Sequence, residues 1–144
     1  MPNIRWLLAL ITRFQRWLYL RTDGAMGTSI LGITMLLLFA RGRRSGKEHI
    51  IPLLYIPDGD HWVIIGSNAG DKKPPAWWLN LQADPRARIQ VGRERFDVVA
   101  REAVGEERTR LWQRLMQSYR YYDAYQRKAG RQIPVVVLER AAGA

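Results

Sequence analysis

Residues 33–46, ITMLLLFARGRRSG, join an apolar run to a loop in which two glycines flank two arginines and a serine. The apolar half, residues 33–40, predicts a buried β-strand. In the loop, glycine lets the backbone turn closely around a ligand, and arginine matches phosphate or carboxylate oxygens with paired hydrogen bonds. The stretch therefore indicates a strand that ends at a site for the anionic tail of a cofactor. A solvated basic turn is the alternative interpretation of the same residues.

The composition is that of one folded and strongly basic domain. The 144 residues are 47% hydrophobic and include six tryptophans, which is enough apolar material for a core. The formal net charge of +10 points to an acidic partner, which is nucleic acid, anionic lipid or a polyanionic small molecule. The cations are spread from Arg5 to Arg140, which favours an interaction face over a disordered arm.

Residue types that the chain lacks narrow its chemistry. The absence of cysteine excludes disulfides, iron–sulfur clusters and thiol catalysis. With His49 and His61 as the two histidines, we expect no conventional zinc site. No secretory signal is recognisable, and the longest apolar run, residues 30–40, is about half of what a bilayer span needs. We therefore expect a cytoplasmic protein.

Residues 4–19 predict an amphipathic helix. At about 100° per residue an apolar arc faces one way, and Arg5, Arg13 and Arg16 face the other. Arginines opposite an apolar face are typical of a helix at a membrane interface, here the anionic inner face of the cell membrane. A helix that caps the domain or meets a second copy explains the pattern equally well. We divide the chain into this N-terminal helix, residues 1–22, and a single domain, residues 23–144.

The rest of the chain predicts an antiparallel β-structure with short helices. Turn residues at 57–60 and 92–94 separate apolar runs and predict two hairpins. Prolines at 74 and 75 suit the first turn of a helix. The lack of βαβ alternation favours a mainly β or α+β fold, an antiparallel barrel or sandwich with helices packed outside. The expected strands are 33–40, 50–56, 61–67, 88–91, 96–103 and 134–138, and the expected helices are 76–82, 105–119 and 121–128.

Trp77, Trp78 and Asn80 form a second candidate group. Adjacent residues on a helix point about 100° apart, so one indole is able to enter the core while the other borders a ligand. Asn80 lies three residues after Trp77 and can form hydrogen bonds toward the same side. Two core indoles with a capping asparagine are the alternative.

Tyr119, Tyr122 and Tyr125 form a third candidate group because they are spaced by three residues. If the segment is helical, all three lie on one side and can line a pocket for a flat ring. Their hydroxyl groups are also able to supply a hydrogen bond or a proton. Half-wet packing on an amphipathic helix is the commoner use of such tyrosines.

The sequence lacks the common motifs of hydrolases and nucleotide-binding enzymes. No Ser–His–acid arrangement is suggested by position, and there is no carboxylate pair between predicted elements, no Walker loop and no dinucleotide fingerprint. Basic groups, backbone donors and aromatic rings remain. These suit a redox cofactor that brings its own chemistry and needs only position and electrostatics from the protein.

A series of short blocks between residues 42 and 139 carries a resemblance to a known family. The blocks are Gly42-Arg43-Arg44-Ser45-Gly46, Pro52-Leu53, the strand into Ser67, Pro75, Trp77, Leu79-Asn80-Leu81, Ala83-Asp84-Pro85, the three tyrosines and residues 134–139. In this order they resemble the deazaflavin-dependent nitroreductase family. Members of that family bind coenzyme F420 on a split β-barrel related to FMN-binding proteins.

The resemblance implies roles for individual residues. It implies that Arg43, Arg44 and Ser45 hold the phosphate- and glutamate-bearing tail of F420. The three tyrosines and Ser67 would serve catalysis, with the tyrosines lining the acceptor pocket. Of the tyrosines, Tyr122 would lie closest to the cofactor, and Ser67 would also border the deazaflavin. The other residues implied to contact the cofactor are His49, Ile50, Ile51, Pro52, Leu53, Leu54, Ile65, Gly66, Asn68, Ala76, Trp77, Trp78, Leu79 and Asn80.

The implied function is that of an F420H2-dependent reductase which transfers a hydride to a quinone-like or nitroaromatic acceptor. His49 and Asn68 stand where the family commonly has arginine and lysine, so two charge contacts to the cofactor differ here. An FMN-dependent reductase on the same barrel and a non-catalytic protein that binds F420 or nucleic acid stay open as alternatives. The tight glycine turn argues against nucleic acid. Whether the protein forms a homodimer is also open.

Overall fold

The computed structural model describes residue 13 and residues 29–30, 33–66, 72–119 and 122–141. Of the expected N-terminal helix it describes Arg13, which is helical and exposed, and the rest of residues 4–19 lies outside the described residues. Ser67 and Asn68 also lie outside them. Within the described ranges, no helix combines the length and the hydropathy that a membrane crossing requires.

Eight strands form one curled antiparallel sheet in the described part of the chain. The strands are β1 (Ser29–Ile30), β2 (Ile33–Arg41), β3 (Glu48–Leu54), β4 (Ile56–Asp58), β5 (His61–Ile65), β6 (Arg86–Val91), β7 (Glu94–Glu102) and β8 (Val135–Arg140). Their order across the sheet is β1-β2-β6-β7-β8-β5-β4, and β3 pairs with β2. This curled antiparallel sheet is the split β-barrel that the sequence predicted.

The first predicted hairpin is divided differently in the structure. We expected residues 50–56 to pair with residues 61–67, but β3 pairs with β2, and Leu37 lies opposite Pro52. Of residues 50–58, only the short β4 pairs with β5, around a turn at Gly59 and Asp60. The reason is the reversal at residues 42–46, which folds the start of the apolar run back along β2. The second predicted hairpin, β6 with β7, is confirmed.

Three short helices lie in the described ranges: α1 (Ala76–Ala83), α2 (Gly105–Ser118) and α3 (Tyr122–Ala129). They agree with the predicted helices to within a residue at each end. Tyr119 was expected inside the second of these helices. It instead lies directly after α2 and has a non-helical backbone, with φ −140° and ψ 78°. The helical spacing assumed for the three tyrosines therefore does not run through Tyr119. Tyr122 and Tyr125 do share one helix.

The sheet carries an apolar cluster on each of its faces, because side chains of a strand alternate between the two sides. On β8, Val136 and Leu138 belong to the cluster that contains Trp77 and Trp78 of α1. Their neighbours Val135 and Val137 belong to the cluster that contains α2. The residues of α2 and α3 buried in this second cluster are Leu111, Leu115 and Ala129. The sheet thus lies between α1 on one face and α2 with α3 on the other.

Candidate cofactor site

The loop between β2 and β3, residues 42–46, is a closed turn, and we call it the arginine turn. The amide of Gly42 donates to the carbonyl of Lys47 at 2.8 Å, and the amide of Gly46 donates to the carbonyl of Gly42 at 2.9 Å. Gly46 has φ +71°, a conformation that costs glycine little and other residues more. The hydroxyl of Ser45 accepts from the amide of Lys47 at 3.2 Å. These bonds fix the backbone that presents the two arginines.

Arg43 is fixed to helix α1 by a single asparagine. The side-chain oxygen Oδ1 of Asn80 accepts from the amide of Arg43 at 3.1 Å and from its Nη1 at 2.9 Å. Asn80 is 6% exposed, so the acceptor is held firmly by its surroundings. Because an amide carries no charge, it orients the guanidinium without neutralising it.

A cleft of about 480 Å³ opens beside the arginine turn and the end of α1. Its one acidic residue, Asp84, is paired with Arg86, whose Nε lies 3.1 Å from Oδ1 of Asp84. The hydrogen bond from Arg86 lowers the pKa of that carboxyl group. The residues that line the cleft are Arg41, Gly42, Arg43, Arg44, Ser45, Gly46, Asn80, Ala83 and Asp84.

This donor set fits the anionic tail of F420. Among the described residues, neither Arg43 nor Arg44 forms an ion pair, and both side chains are exposed. A phosphate or carboxylate in the cleft would therefore meet two guanidinium groups that are not paired with a carboxylate in the described part of the chain. Arg41, which the sequence-based prediction did not include, adds a third cation.

The β3 residues predicted to follow the cofactor form a half-buried apolar surface. His49 is exposed at the start of the strand, and Ile50, Ile51, Pro52, Leu53 and Leu54 are partly buried. Ile51 and Leu53 pack against the cluster that contains α1. Within the described residues, β3 pairs with β2 only. One edge of β3 therefore has no strand partner among the described residues, and part of its apolar surface is accessible close to the arginine turn.

The residues predicted at the end of β5 lie in tightly packed surroundings. Ile65 is 6% exposed and belongs to the cluster that contains α2. The amide of Gly66 donates to the carbonyl of Pro134 at 2.9 Å. A Cβ added at Gly66 would lie 2.8 Å from Cγ of Pro134, so only glycine allows this approach. The predicted neighbours Ser67 and Asn68 lie outside the described residues.

Helix α1 buries both of its indoles. Trp77 and Trp78 are 6% and 8% exposed, and their rings meet edge to face at 6.5 Å. Both belong to the core, so the alternative interpretation of two core indoles describes this arrangement. Ala76 is exposed and Leu79 is partly buried. Of the predicted α1 residues, Asn80 is the one that lines the cleft.

Tyr119 forms a hydrogen bond at the junction between β3 and β4. Its hydroxyl donates to the backbone carbonyl of Tyr55 at 3.3 Å, and its ring packs against the cluster that contains α2. Burial raises the pKa of Tyr55 itself. For Tyr122 and Tyr125 the structure describes the backbone of α3 and not the side chains. The structure therefore brings Arg43, Arg44, Ser45 and Asn80 together, whereas Tyr119 contacts the β3–β4 junction.

Three comparisons place this chain among known proteins. The profile of a family described as F420H(2)-dependent quinone reductase matches residues 11–140. An F420H(2)-dependent quinone reductase of Mycobacterium tuberculosis is 36% identical over 134 residues, which is 90% of each chain. The solved structure of an F420-H2 dependent reductase superposes with a TM-score of 0.68 at 35% identity, over 73% of this chain and 93% of that one.

A second solved structure, described as a domain-swapped dimer, gives a TM-score of 0.71 at 33% identity, over 88% of this chain and 96% of that one. The profile covers most of the chain, and the M. tuberculosis relative is similar over nearly its whole length. The family, the fold and the F420 cofactor expected from the sequence are confirmed. The chain belongs to the F420H(2)-dependent quinone reductase family.

Proposed function

We propose that the arginine turn and Asn80 hold the anionic tail of F420 in this enzyme, and that its acceptor is a quinone. As a member of its family the chain is an F420H2-dependent oxidoreductase. The observation that carries the tail site is the contact of Arg43 with the neutral Asn80, beside Arg44, which forms no ion pair with any residue that the structure describes. The positive charge of the turn is therefore available to an external anion.

The energetics favour this assignment. Hydrogen bonds to charged groups contribute about 1.5–3 kcal/mol each when they are partly desolvated. Arg43 has already lost part of its conformational freedom to Asn80, so binding an anion costs less ordering entropy. Two such guanidinium groups would together contribute about 3–6 kcal/mol to the binding of a phosphate-bearing tail.

The ring of the cofactor would lie along β3. β3 begins shortly after the arginine turn, and its residues Ile51, Pro52 and Leu53 are apolar and half-buried. Reduced deazaflavin, when bound, supplies the hydride. The work of the protein is to hold reacting atoms roughly 3–3.5 Å apart and to exclude water.

We infer that Tyr119 does not supply the proton that the reduced acceptor takes up. The hydroxyl hydrogen of Tyr119 is donated to the carbonyl of Tyr55. Delivering that proton would first require breaking this bond. We assign any proton delivery to Tyr122, Tyr125 or Ser67, and we assign Tyr119 to the packing of the acceptor side.

Two finer points belong to the same proposal. The amphipathic pattern of residues 4–19 supports contact with an anionic membrane surface, from which a lipid-soluble quinone is taken. The domain-swapped dimer among the structural neighbours supports a homodimer. Flotation with anionic vesicles tests the first point, and light scattering of the purified protein tests the second.

A fluorescence titration with F420 tests the tail site. We expect the double variant Arg43→Ala/Arg44→Ala to bind at least about a hundredfold more weakly, because two charge-assisted contacts are lost. The control is Arg127→Ala/Lys128→Ala, which removes the same charge from the exposed last turn of α3. Equal affinities of the two double variants would contradict the site. Uptake of FMN in place of F420 by the wild-type protein would point to a flavin enzyme.

Oxidation of F420H2, followed by absorbance against a panel of quinones and nitro compounds, tests the reaction. We expect turnover with quinones such as menadione. A protein that binds F420 and turns over none of the panel would be a carrier of the cofactor.

A further inference from the structure

Arg131 joins two chain segments that lie far apart in sequence. Its Nη2 donates to the carbonyl of Gly66 at 3.1 Å and to the carbonyl of Lys73 at 3.3 Å. Gly66 directly follows β5, and Lys73 lies shortly before α1. One guanidinium nitrogen therefore ties the end of a strand to the start of a helix.

The segment that carries Arg131 is itself firmly held. The side chain of Gln126 on α3 donates to the carbonyl of Arg131 and accepts from the amide of Ile133, the latter at 2.9 Å. From α2, Nη1 of Arg108 donates to the carbonyl of Ile133 at 2.6 Å. Burial lowers the pKa of Arg108, because loss of water disfavours the charged form of the guanidinium. Residues 131–133 thus form a rigid platform supported by both helices.

Gly66 also contacts Pro134, the residue that directly follows this platform, independently of Arg131. Its amide donates to the carbonyl of Pro134, and its missing side chain leaves room for the proline ring. The ring of Pro75 also lies close, with Cδ 3.7 Å from the position of a Cβ on Gly66. The end of β5, the start of α1 and the segment after α3 therefore meet at one point.

We propose that Arg131 is a positioning residue, which sets the distance between the cofactor side and the acceptor side of the site. The inference rests on the proposed function, in which Asn80 of α1 holds the tail of the cofactor and α3 carries Tyr122 and Tyr125, and on the resemblance, which implies that the end of β5 borders the deazaflavin. Arg131 follows α3 and holds Gly66 and Lys73, so it links the two sides. Hydride transfer depends steeply on the separation of the reacting atoms, so a loosened link lowers the rate.

Arginine suits this role because its charge persists at all relevant pH values and one nitrogen carries two hydrogens. A methionine of similar length would keep the packing and lose both hydrogen bonds. A lysine would keep the charge and has enough hydrogens for both carbonyls. The matched control is Arg127→Met, which removes an exposed arginine from the last turn of α3.

The first measurement is hydrogen–deuterium exchange of the cofactor-free protein. We expect Arg131→Met to raise exchange in peptides that contain Gly66 by at least about tenfold, because both hydrogen bonds from Arg131 are lost and the segment that it holds opens more often. Arg131→Lys should restore exchange to within about threefold of the wild-type rate. Arg127→Met should leave it unchanged. Wild-type exchange in Arg131→Met would overturn the proposal, and if that variant does not fold, Arg131→Gln is judged by the same criterion.

The second measurement is the single-turnover rate of F420H2 oxidation with a quinone. We expect Arg131→Met to lower this rate about tenfold while the Kd for F420 stays within about threefold, because the tail contacts lie elsewhere. Fast exchange with an unchanged rate would show a structural contact without a positioning role and would also overturn the proposal. Absence of F420 binding by the wild-type protein would instead refute the proposed function, since the exchange experiment needs no cofactor.

Discussion

The arginine turn and the corner between α2 and the β4–β5 hairpin both collect arginines, but they use them in opposite ways. In the turn, Arg43 contacts the neutral Asn80. In the corner, Arg110 binds both oxygens of Asp58 at 2.9 and 3.0 Å, and Arg114 binds the same carboxylate at 2.9 Å. We call this group the Asp58 corner.

The difference separates arginines that are available to a ligand from arginines that hold the fold. The single carboxylate of the Asp58 corner offsets half of the charge of its two guanidinium partners and occupies their hydrogen-bond donors, so fewer donors are left there for an external anion. An asparagine supplies geometry without charge, so the arginine turn keeps its positive potential. The type of acceptor, more than the number of arginines, marks the binding site.

Asn80→Asp tests this contrast most strongly. A carboxylate would hold Arg43 at the same place and neutralise it, so we expect the affinity for F420 to fall about ten- to a hundredfold. The melting temperature should change little, because the new ion pair offsets the desolvation of the carboxylate. Fluorescence titration and thermal unfolding measure the two quantities.

Gln82→Glu is the control for that variant, since it adds the same charge to an exposed position of α1. We expect it to weaken F420 binding far less. Wild-type affinity in Asn80→Asp would show that the neutrality of the amide is irrelevant.

Asp58→Asn should show the reverse pattern. Arg110 and Arg114 lose their charged partner, and we expect the free energy of unfolding to fall by about 1–2 kcal/mol with F420 affinity unchanged. Urea denaturation measures the first quantity. Asp60→Asn, on the neighbouring exposed turn position, should have almost no effect. A loss of F420 affinity in Asp58→Asn would contradict the inference that the arginines of the Asp58 corner stabilise the fold and do not bind the cofactor.

Lowering the pH should weaken the Asp58 corner and leave the arginine turn unchanged. We expect this effect to be smaller than the effects of the substitutions above. The hydrogen bond from Arg110 lowers the pKa of Asp58 below its usual 3.8, and Arg101 likewise lowers the pKa of Glu107. A lowered folded-state pKa means that the stabilisation is present above the unfolded-state pKa and is lost as the pH falls through the folded-state value. The usual pKa of a carboxyl group is about 4. Urea denaturation at about pH 5.5 and at about pH 3.5 should therefore show a lower free energy of unfolding at the more acidic pH.

The same experiment on Asp58→Asn should show a shallower loss, because one of the titrating groups is gone. The acceptor that holds Arg43 is the neutral side-chain amide of Asn80 and not a carboxylate, so acid leaves this contact of the arginine turn intact. An equal pH dependence in the wild type and the variant would exclude Asp58 as a source of it.

Ser45→Ala should give the smallest effect. The variant loses the hydrogen bond to the amide of Lys47 and one donor toward the tail, so we expect F420 affinity to fall about two- to fivefold, or ~0.5–1 kcal/mol. Ser118→Ala, at the exposed end of α2, is the matched control. A larger loss than in Asn80→Asp would show that the hydroxyl, and not the arginine charge, dominates the tail site.

Local patterns predicted the elements better than their partners. Most strands and all three described helices lie close to their expected bounds, because alternation, proline and glycine act within a few residues. The sequence did not predict that β3 pairs with β2 while β4 pairs with β5. A uniform apolar run does not indicate which strand each of its halves will pair with. The end of α2 at Tyr119 has no glycine or proline to announce it.

The candidate site shows the same limit. Arg43 and Asn80 were both named from the sequence, but their contact spans 37 positions and no local pattern reveals it. Arg131 was missed altogether, because its role depends on two carbonyls that only the folded chain brings together. The roles of Ser67, Tyr122 and Tyr125 stay predictions of the resemblance.

The position of β8 has a consequence for how the protein is made. Residues 135–140 follow every other described strand in the sequence, yet they pair with β7 on one side and β5 on the other. During vectorial synthesis the two partial sheets must wait for this last strand, with the edges of β5 and β7 unpaired. Nascent chains of this fold are therefore expected to need protection from aggregation until the ribosome has released residue 140.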